Sequence, residues 1–392
     1  MQEATLLVKL MRYALRQDHF ELKEEFDSAK LAEMIRDQNL VSFVCPALQR
    51  IKDERLQSVA NNLAQEYNEE LHRILVQQME MESLLYKLED SQMDCLPLKG
   101  YFMKDYYPES TFRSMTDFDV LIREFDEKQI QALMENIGYC VEEQGDEHHD
   151  VYVKKPYMVA EMHKNLSDEK VEREIPQIDK WLENAWDRCI LTQGKLHTYE
   201  MTEEDLYIYH LIHLYKHIRH GGISVRPLVD IHVFLDKANA RLDWEYLQKT
   251  LCQLELEPFE KAMKDLSRKC FETKSSLNES EMKLLEFFFD SGMFGTSKSV
   301  TTVSLVTEGG NSYSKGRFST YFRLIFQPAR ILRDKYPILE KSSILLPIVW
   351  IIRCFRVVFK ERQKVKHLKE ASTKEEYDKM REIFQIAGII NK

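Results

Sequence analysis

The chain has 392 residues, 44% of them hydrophobic, and a formal net charge of −10. That hydrophobic share excludes a disordered chain, and the length leaves room for about two or three domains of ordinary size. Seven widely spaced cysteines without a CxxC exclude a disulfide framework or a cysteine zinc site, so the thiols are expected to be reduced in a cytoplasmic protein.

Glycine (12) and proline (10) are scarce, which favours helix. Residues 1–92 read as an N-terminal helical region. Leu7, Leu10, Met11 and Ala14 follow helical spacing and are interrupted by Lys9 and Arg12, unlike the continuous apolar run of a signal peptide. Leu31, Met34 and Ile35 form one apolar stripe, and Leu71, Ile74 and Leu75 a second.

Residues 93–170 change character. A short apolar run at 95–98 ends in Lys99-Gly100. Residues 117–122 read as a strand, and a helix over 126–137 is closed by Gly138. Residues 151–154 and 157–163 form a strand hairpin turning at Lys155-Pro156. The fold class expected is therefore α+β, with a small mixed sheet embedded in a mostly helical protein.

Residues 171–306 return to helical periodicity. Gly221-Gly222 breaks one helix, and another starts near Pro227, a favoured first-turn position. Residues 307–316, small and polar, are expected to be a linker into a C-terminal helical region, 307–392. From residue 315 to 369 there are 14 Lys and Arg against three acids, so this stretch carries +11 and the remainder −21. Such asymmetry suits either a solvated basic face or an anionic partner: a nucleic acid, a lipid-linked glycan or a membrane surface. Residues 344–352, the longest apolar run, are about half of what a bilayer crossing needs, so no transmembrane segment is expected. Trp350, Arg353, Phe355, Arg356, Phe359 and Lys360 suggest an interfacial helix and peripheral membrane contact. However, Leu345, Val349, Ile352 and Arg356 form no clean stripe, which favours a core-packed helix with basic solvent positions.

The chemistry concentrates in Asp117-Phe118-Asp119. In a strand, residues i and i+2 share a face, so both carboxylates project together. Neighbouring like charges call for a cation, and magnesium prefers hard oxygen ligands that it shares with phosphates. Glu161, on a later strand, supplies a third carboxylate, with His163 on its face. Two magnesium ions (Mg2+, with Mn2+ as the alternative) would clamp an in-line phosphoryl displacement.

At these residues the chain resembles a known group. LeuProLeuLysGly (96–100), TyrTyrPro (106–108), Arg113, AspPheAspValLeu (117–121) and GluMetHis (161–163) look like the bacterial nucleotidyltransferase family of the DNA polymerase beta-like superfamily, in the branch carrying LysGly before the acidic pair. HisLeuTyrLysHis (213–217), ArgProLeuValAspIle (226–231), PheGlnPro (326–328), TyrPro (336–337) and LeuProIleValTrp (346–350) extend the similarity over most of the chain.

The resemblance implies that Asp117 and Asp119 hold both metals. Glu161 would complete the site and help activate an acceptor hydroxyl. Gly100 would let backbone N–H groups approach a triphosphate, and Lys99 and Arg113 would neutralise its charge. The phosphate turn departs from the superfamily pattern, with LysGlyTyr in place of Gly-Ser or Gly-Gly. Arg113 has an alternative as a structural partner of Asp117 or Glu109.

His210, His213 and His217 share one helix face. They read either as a wall touching nucleotide together with Lys216, or, preferably, as a polar stripe packed on Arg226 and Asp230. His149 and His163 are candidates for orienting substrate. The expected activity is transfer of a nucleoside monophosphate to an unidentified acceptor, with release of pyrophosphate. No residue pattern names the base, and ATP is expected from its abundance and the family's habit. The alternatives are a catalytically inactive nucleotide-binding module, and a peripheral membrane or nucleic-acid binder acting through residues 315–369.

Overall fold

The structure is a computed structural model. It describes all residues except 1, 18–19, 24, 145–147, 167–175, 273–275, 293–294, 311, 333–334, 337, 360–372 and 391–392. The chain forms two compact units: Met1–Leu214 with Val225–Met282, and Tyr215–Ser224 with Lys283–Lys392.

The first unit opens with four helices, α1 (Gln2–Arg16), α2 (Ser28–Asp37), α3 (Val41–Arg50) and α4 (Glu54–Asp90). The Asp27 and Asp53 carboxylates accept the free N–H groups that start α2 and α4. Leu31 and Ile35 are buried as their stripe predicts. The second stripe is corrected: Ile74 is buried, but Leu75 is exposed. The inner face of α4 instead follows Ile74, Met81, Leu84, Leu85 and Leu88, because it turns toward a sheet whose position local spacing does not reveal.

Next come β1 (Cys95–Pro97), the single-turn α5 (Gly100–Met103), β2 (Phe118–Ile122), α6 (Glu127–Asn136), β3 (Cys140–Glu143), β4 (His149–Lys154) and β5 (Met158–His163). The expected hairpin is present as β4 and β5. Helix α6 is capped by Asp126 and followed by Gly138 at φ +88°, a left-handed position that suits glycine. The sheet order is β1-β2-β5-β4-β3. β2 and β5 run parallel, and the other neighbours are antiparallel, so the sheet is mixed. Strand β3 was not legible in the sequence: CysValGluGlu is polar, edge-placed and mostly exposed.

Alternation gives the sheet two different faces. Phe118, Val120, Ile122, Tyr152, Met158, Ala160 and Met162 join a core with Met81, Leu84, Leu85 and Leu88 of α4 and Ile130 and Met134 of α6. Asp119, Leu121, Glu161, His163 and His149 lie on the other face. Leu121 is therefore buried on the acidic side, whereas Phe118 and Val120 serve the core beneath.

The helix Glu203–Arg219 stops before Gly221 (φ +127°) and Gly222 (φ +107°), and Arg226–Ala238 starts with Pro227 in its first turn, both as expected.

In the second unit, residues 307–316 are not a linker. Thr307 to Gly309 finish the helix Ser297–Gly309, and Tyr313 opens the helix Tyr313–Ile325 after the cap residue Ser312. The glycines serve a close crossing here: a Cβ on Gly309 would stand 2.9 Å from the Gly316 Cα. Further on, Leu332, Leu339 and Val349 form a small core with Tyr336, Leu345, Leu346 and Trp350. Residues 360–369 of the basic stretch lie outside the described residues. Among the described residues, no helix is long and apolar enough to cross a membrane.

Candidate active site

The parallel pairing of β2 and β5 sets Asp119 directly beside Glu161, and His163 beside Leu121. The Asp119 carboxylate is nearly buried. His163 Nε2 donates to Asp119 Oδ1 at 2.9 Å and stands 3.5 Å from Glu161 Oε2. His149, paired with His163 across β4 and β5, reaches to 3.9 Å from Glu161 Oε2. Ligand atoms of Asp119, Glu161 and His163 all lie within 4.8 Å of one another, a spacing one cation can bridge.

Asp117 sits one residue before β2 and is half-buried. It is not a member of that close group, but burial, then Asp119 and Glu161, push its carboxyl up to about 6. Burial also opposes the Asp119 charge, yet Lys99 and His163 more than offset it and hold that carboxyl well below the usual range. His163 is the mirror case. Burial disfavours its charge, while hydrogen bonds to Asp119 and Glu161 raise it above the ordinary histidine value.

Lys99 occupies the turn after β1, at φ +36°. The Leu98 N–H donates to the Asp119 carbonyl at 3.0 Å, which anchors that turn over β2. Lys99 Nζ then lies 3.4 Å from Asp119 Oδ2. Burial works against the ammonium, but Asp119, Tyr209, Asp117 and Glu161 together raise its pKa.

Gly100 has no room for a side chain: a Cβ there would meet Arg113 Nη1 at 2.5 Å and Met115 Sδ at 2.6 Å. Arg113 pairs with neither Asp117 nor Glu109. Its Nε and Nη2 fork onto Asp230 at 2.9 and 3.0 Å, and the Tyr107 hydroxyl donates to the same carboxylate at 2.7 Å. Asp230 is 1% exposed. The fork fixes the guanidinium plane and leaves Nη1 facing Gly100.

His210 is buried and donates to the Pro227 carbonyl at 3.3 Å, beside Asp230, in keeping with the structural reading of that histidine. Lys216 and His217, further along the same helix, belong to the second unit. Tyr209 was missed. It is buried, and burial, with the Asp119 and Glu161 charges, outweighs the nearby Lys99 ammonium and pushes its hydroxyl up to about 12. Within LeuTyrIleTyrHisLeu it carried no signal beyond that of a core residue.

Lys99, Asp117, Asp119, Glu161 and His163 thus come from three separate stretches of chain to one sheet face, with Gly100 and Arg113 at the turn beside them. Residues 24–272, more than half of the chain, match the family described as an uncharacterised nucleotidyltransferase. The chain belongs to this nucleotidyltransferase family. It is an enzyme of nucleotidyl transfer, and its substrate is a nucleotide. No curated protein and no solved structure matches it. The matched residues of the nucleotidyltransferase run from the residues before α2 to the helix Glu257–Phe271, and include the whole sheet and the Arg113–Asp230 fork.

Proposed function

We propose that the enzyme transfers a nucleoside monophosphate, AMP from ATP, to a hydroxyl-bearing acceptor with the help of divalent metal. The observation that supports this most is the register of β2 and β5, which sets two carboxylates and an imidazole within bridging distance on a polar sheet face. The donor set fits the cation. Asp117, Asp119 and Glu161 are hard oxygen ligands suited to magnesium, and the His163 nitrogen also suits manganese. Bound among these residues, the ion supplies Lewis acidity at the phosphate oxygens.

The rest is the work of the chain itself. Lys99 and Arg113 Nη1 face the triphosphate charge, and Gly100 leaves the room in which Arg113 Nη1 lies against the turn, where a Cβ would displace it. Asp230 and Tyr107 orient Arg113. The acceptor oxygen forms its bond to the α-phosphorus as the bond from that phosphorus to the bridging oxygen breaks. Pyrophosphate leaves, and Glu161 takes the acceptor's proton.

The test is label transfer from each of four α-labelled nucleoside triphosphates in cell extract, with Mg2+ or Mn2+. Wild type is expected to label an acceptor from ATP, and Asp119→Asn/Glu161→Gln to label none. Equal labelling by the two proteins would contradict the assignment.

A further inference from the structure

We infer that the exposed apolar rows at residues 318–326 and 344–352 form a surface that rests on an anionic lipid bilayer without crossing it. This proposal does not depend on the reading of the active site.

The helix Leu346–Phe359 has apolar residues on two sides. One side is used: Val349 is buried against Leu332 and Leu339, and the Trp350 indole donates to the Gln327 carbonyl at 2.8 Å. The other side is in water. Ile344 is 87% exposed, Ile348 55%, Ile351 58% and Ile352 48%. Ile348, Ile351 and Ile352 are spaced i, i+3, i+4, so they form one ridge, and Ile344 extends it by a turn. No charged residue falls between 344 and 352. The sequence favoured a core-packed helix here. The structure packs Val349 and leaves the isoleucines out.

The helix Tyr313–Ile325 adds a second exposed apolar row. Phe318 and Phe322, with Phe326 just beyond the helix, are exposed at spacings of four. Their rings stack in series, with centroids 6.0 and 4.4 Å apart, and Phe326 meets Trp350 edge-on at 5.3 Å. The aromatic row thus runs from one helix to the base of the other. Lys315, Arg317, Arg323 and Lys335 are exposed around these rows.

Exposed apolar surface of this extent marks an interface, and its charge selects the partner. From 315 to 369 the chain carries 14 basic residues against three acids. Branched aliphatic and phenyl groups enter the acyl boundary of a bilayer, while Lys and Arg stay at anionic headgroups. A nucleic acid would use the basic groups and the aromatic rings but has no use for an isoleucine ridge. Among the described residues no helix is long enough to cross, so the surface lies on the membrane.

The experiment is flotation of the full chain with vesicles of neutral phosphatidylcholine, or of phosphatidylcholine with phosphatidylglycerol. Ile348→Asp/Ile351→Asp is run beside wild type. Both side chains are exposed, so the variant is expected to unfold at the wild-type temperature, which is measured. Binding to anionic vesicles, weaker on neutral ones and at least tenfold weaker in the variant, is the expected result. No binding to anionic vesicles would overturn the proposal, as would binding that the variant retains. A wild-type dimer that the variant converts to monomer, without vesicle binding, would assign the ridge to a second copy instead. Ridge-dependent binding to an oligonucleotide, without vesicle binding, would assign it to nucleic acid.

Discussion

Asp230 controls where Arg113 points, although it lies 117 residues away in sequence and faces no substrate itself. Removing one partner of a buried pair leaves the other charge uncompensated and typically costs about 3–5 kcal/mol. Asp230→Asn keeps an acceptor but loses the charge and half of the fork. It is expected to raise the KM for nucleotide by about tenfold, roughly 1.4 kcal/mol, with a smaller change in kcat, as steady-state kinetics would show. Tyr107→Phe, which leaves the fork whole, should change KM less. A different residue ties stability to pH. His232 is buried against Phe271, and burial, with Arg16 nearby, lowers its pKa to about 4. The unfolded chain then binds a proton more readily than the folded one between roughly pH 6.5 and 4. Stability should fall as pH drops through that window, by on the order of 2 kcal/mol from pH 7 to 5 for this group alone. Urea unfolding of His232→Phe should show a shallower loss than wild type over the same range. Asp119, Glu161 and His163 were legible because strand alternation and an apolar context give polar residues at i and i+2 a meaning. Tyr209 was not, and Asp230 was legible only as a packing partner of the histidine stripe and not as the anchor of Arg113, because a polar residue inside an apolar helix looks the same whether it serves the core or the site.

At the scale of elements, legibility followed local chemistry. The Asp126 cap, Gly138, the Lys155-Pro156 turn and Pro227 each act within a few residues, and each marked its element. The second stripe on α4 failed because the buried face of a 37-residue helix is chosen by the sheet it covers. Residues 307–316 failed for another reason. Glycine and serine serve a tight turn between packed helices as well as they serve a linker. That turn has its own test. A methyl group on Gly316 would run into the Leu305 carbonyl and the Gly309 Cα, both backbone. Gly316→Ala should therefore destabilise by about 1–3 kcal/mol, lowering the midpoint of thermal unfolding. An unchanged midpoint would show that the two helices do not cross as closely as described.

For the whole molecule, the sequence showed a charge division that the three-dimensional grouping gives a place to. The acidic site and its sheet belong to the first unit, and the described basic stretch belongs to the second. Which side of residues 344–352 would be covered was not legible, since both sides are apolar and only packing distinguishes them. Under the proposed function, the face bearing Asp117, Asp119, Glu161 and His163 binds nucleotide through a divalent cation. Calorimetric titration of the full chain with ATP, with and without Mg2+, tests it most directly, with Asp119→Asn/Glu161→Gln as the control. Nucleotide binding is expected to strengthen at least tenfold with the cation in wild type and not in the variant, both proteins being folded. Binding that is indifferent to the cation, or equally strong in the variant, would contradict it.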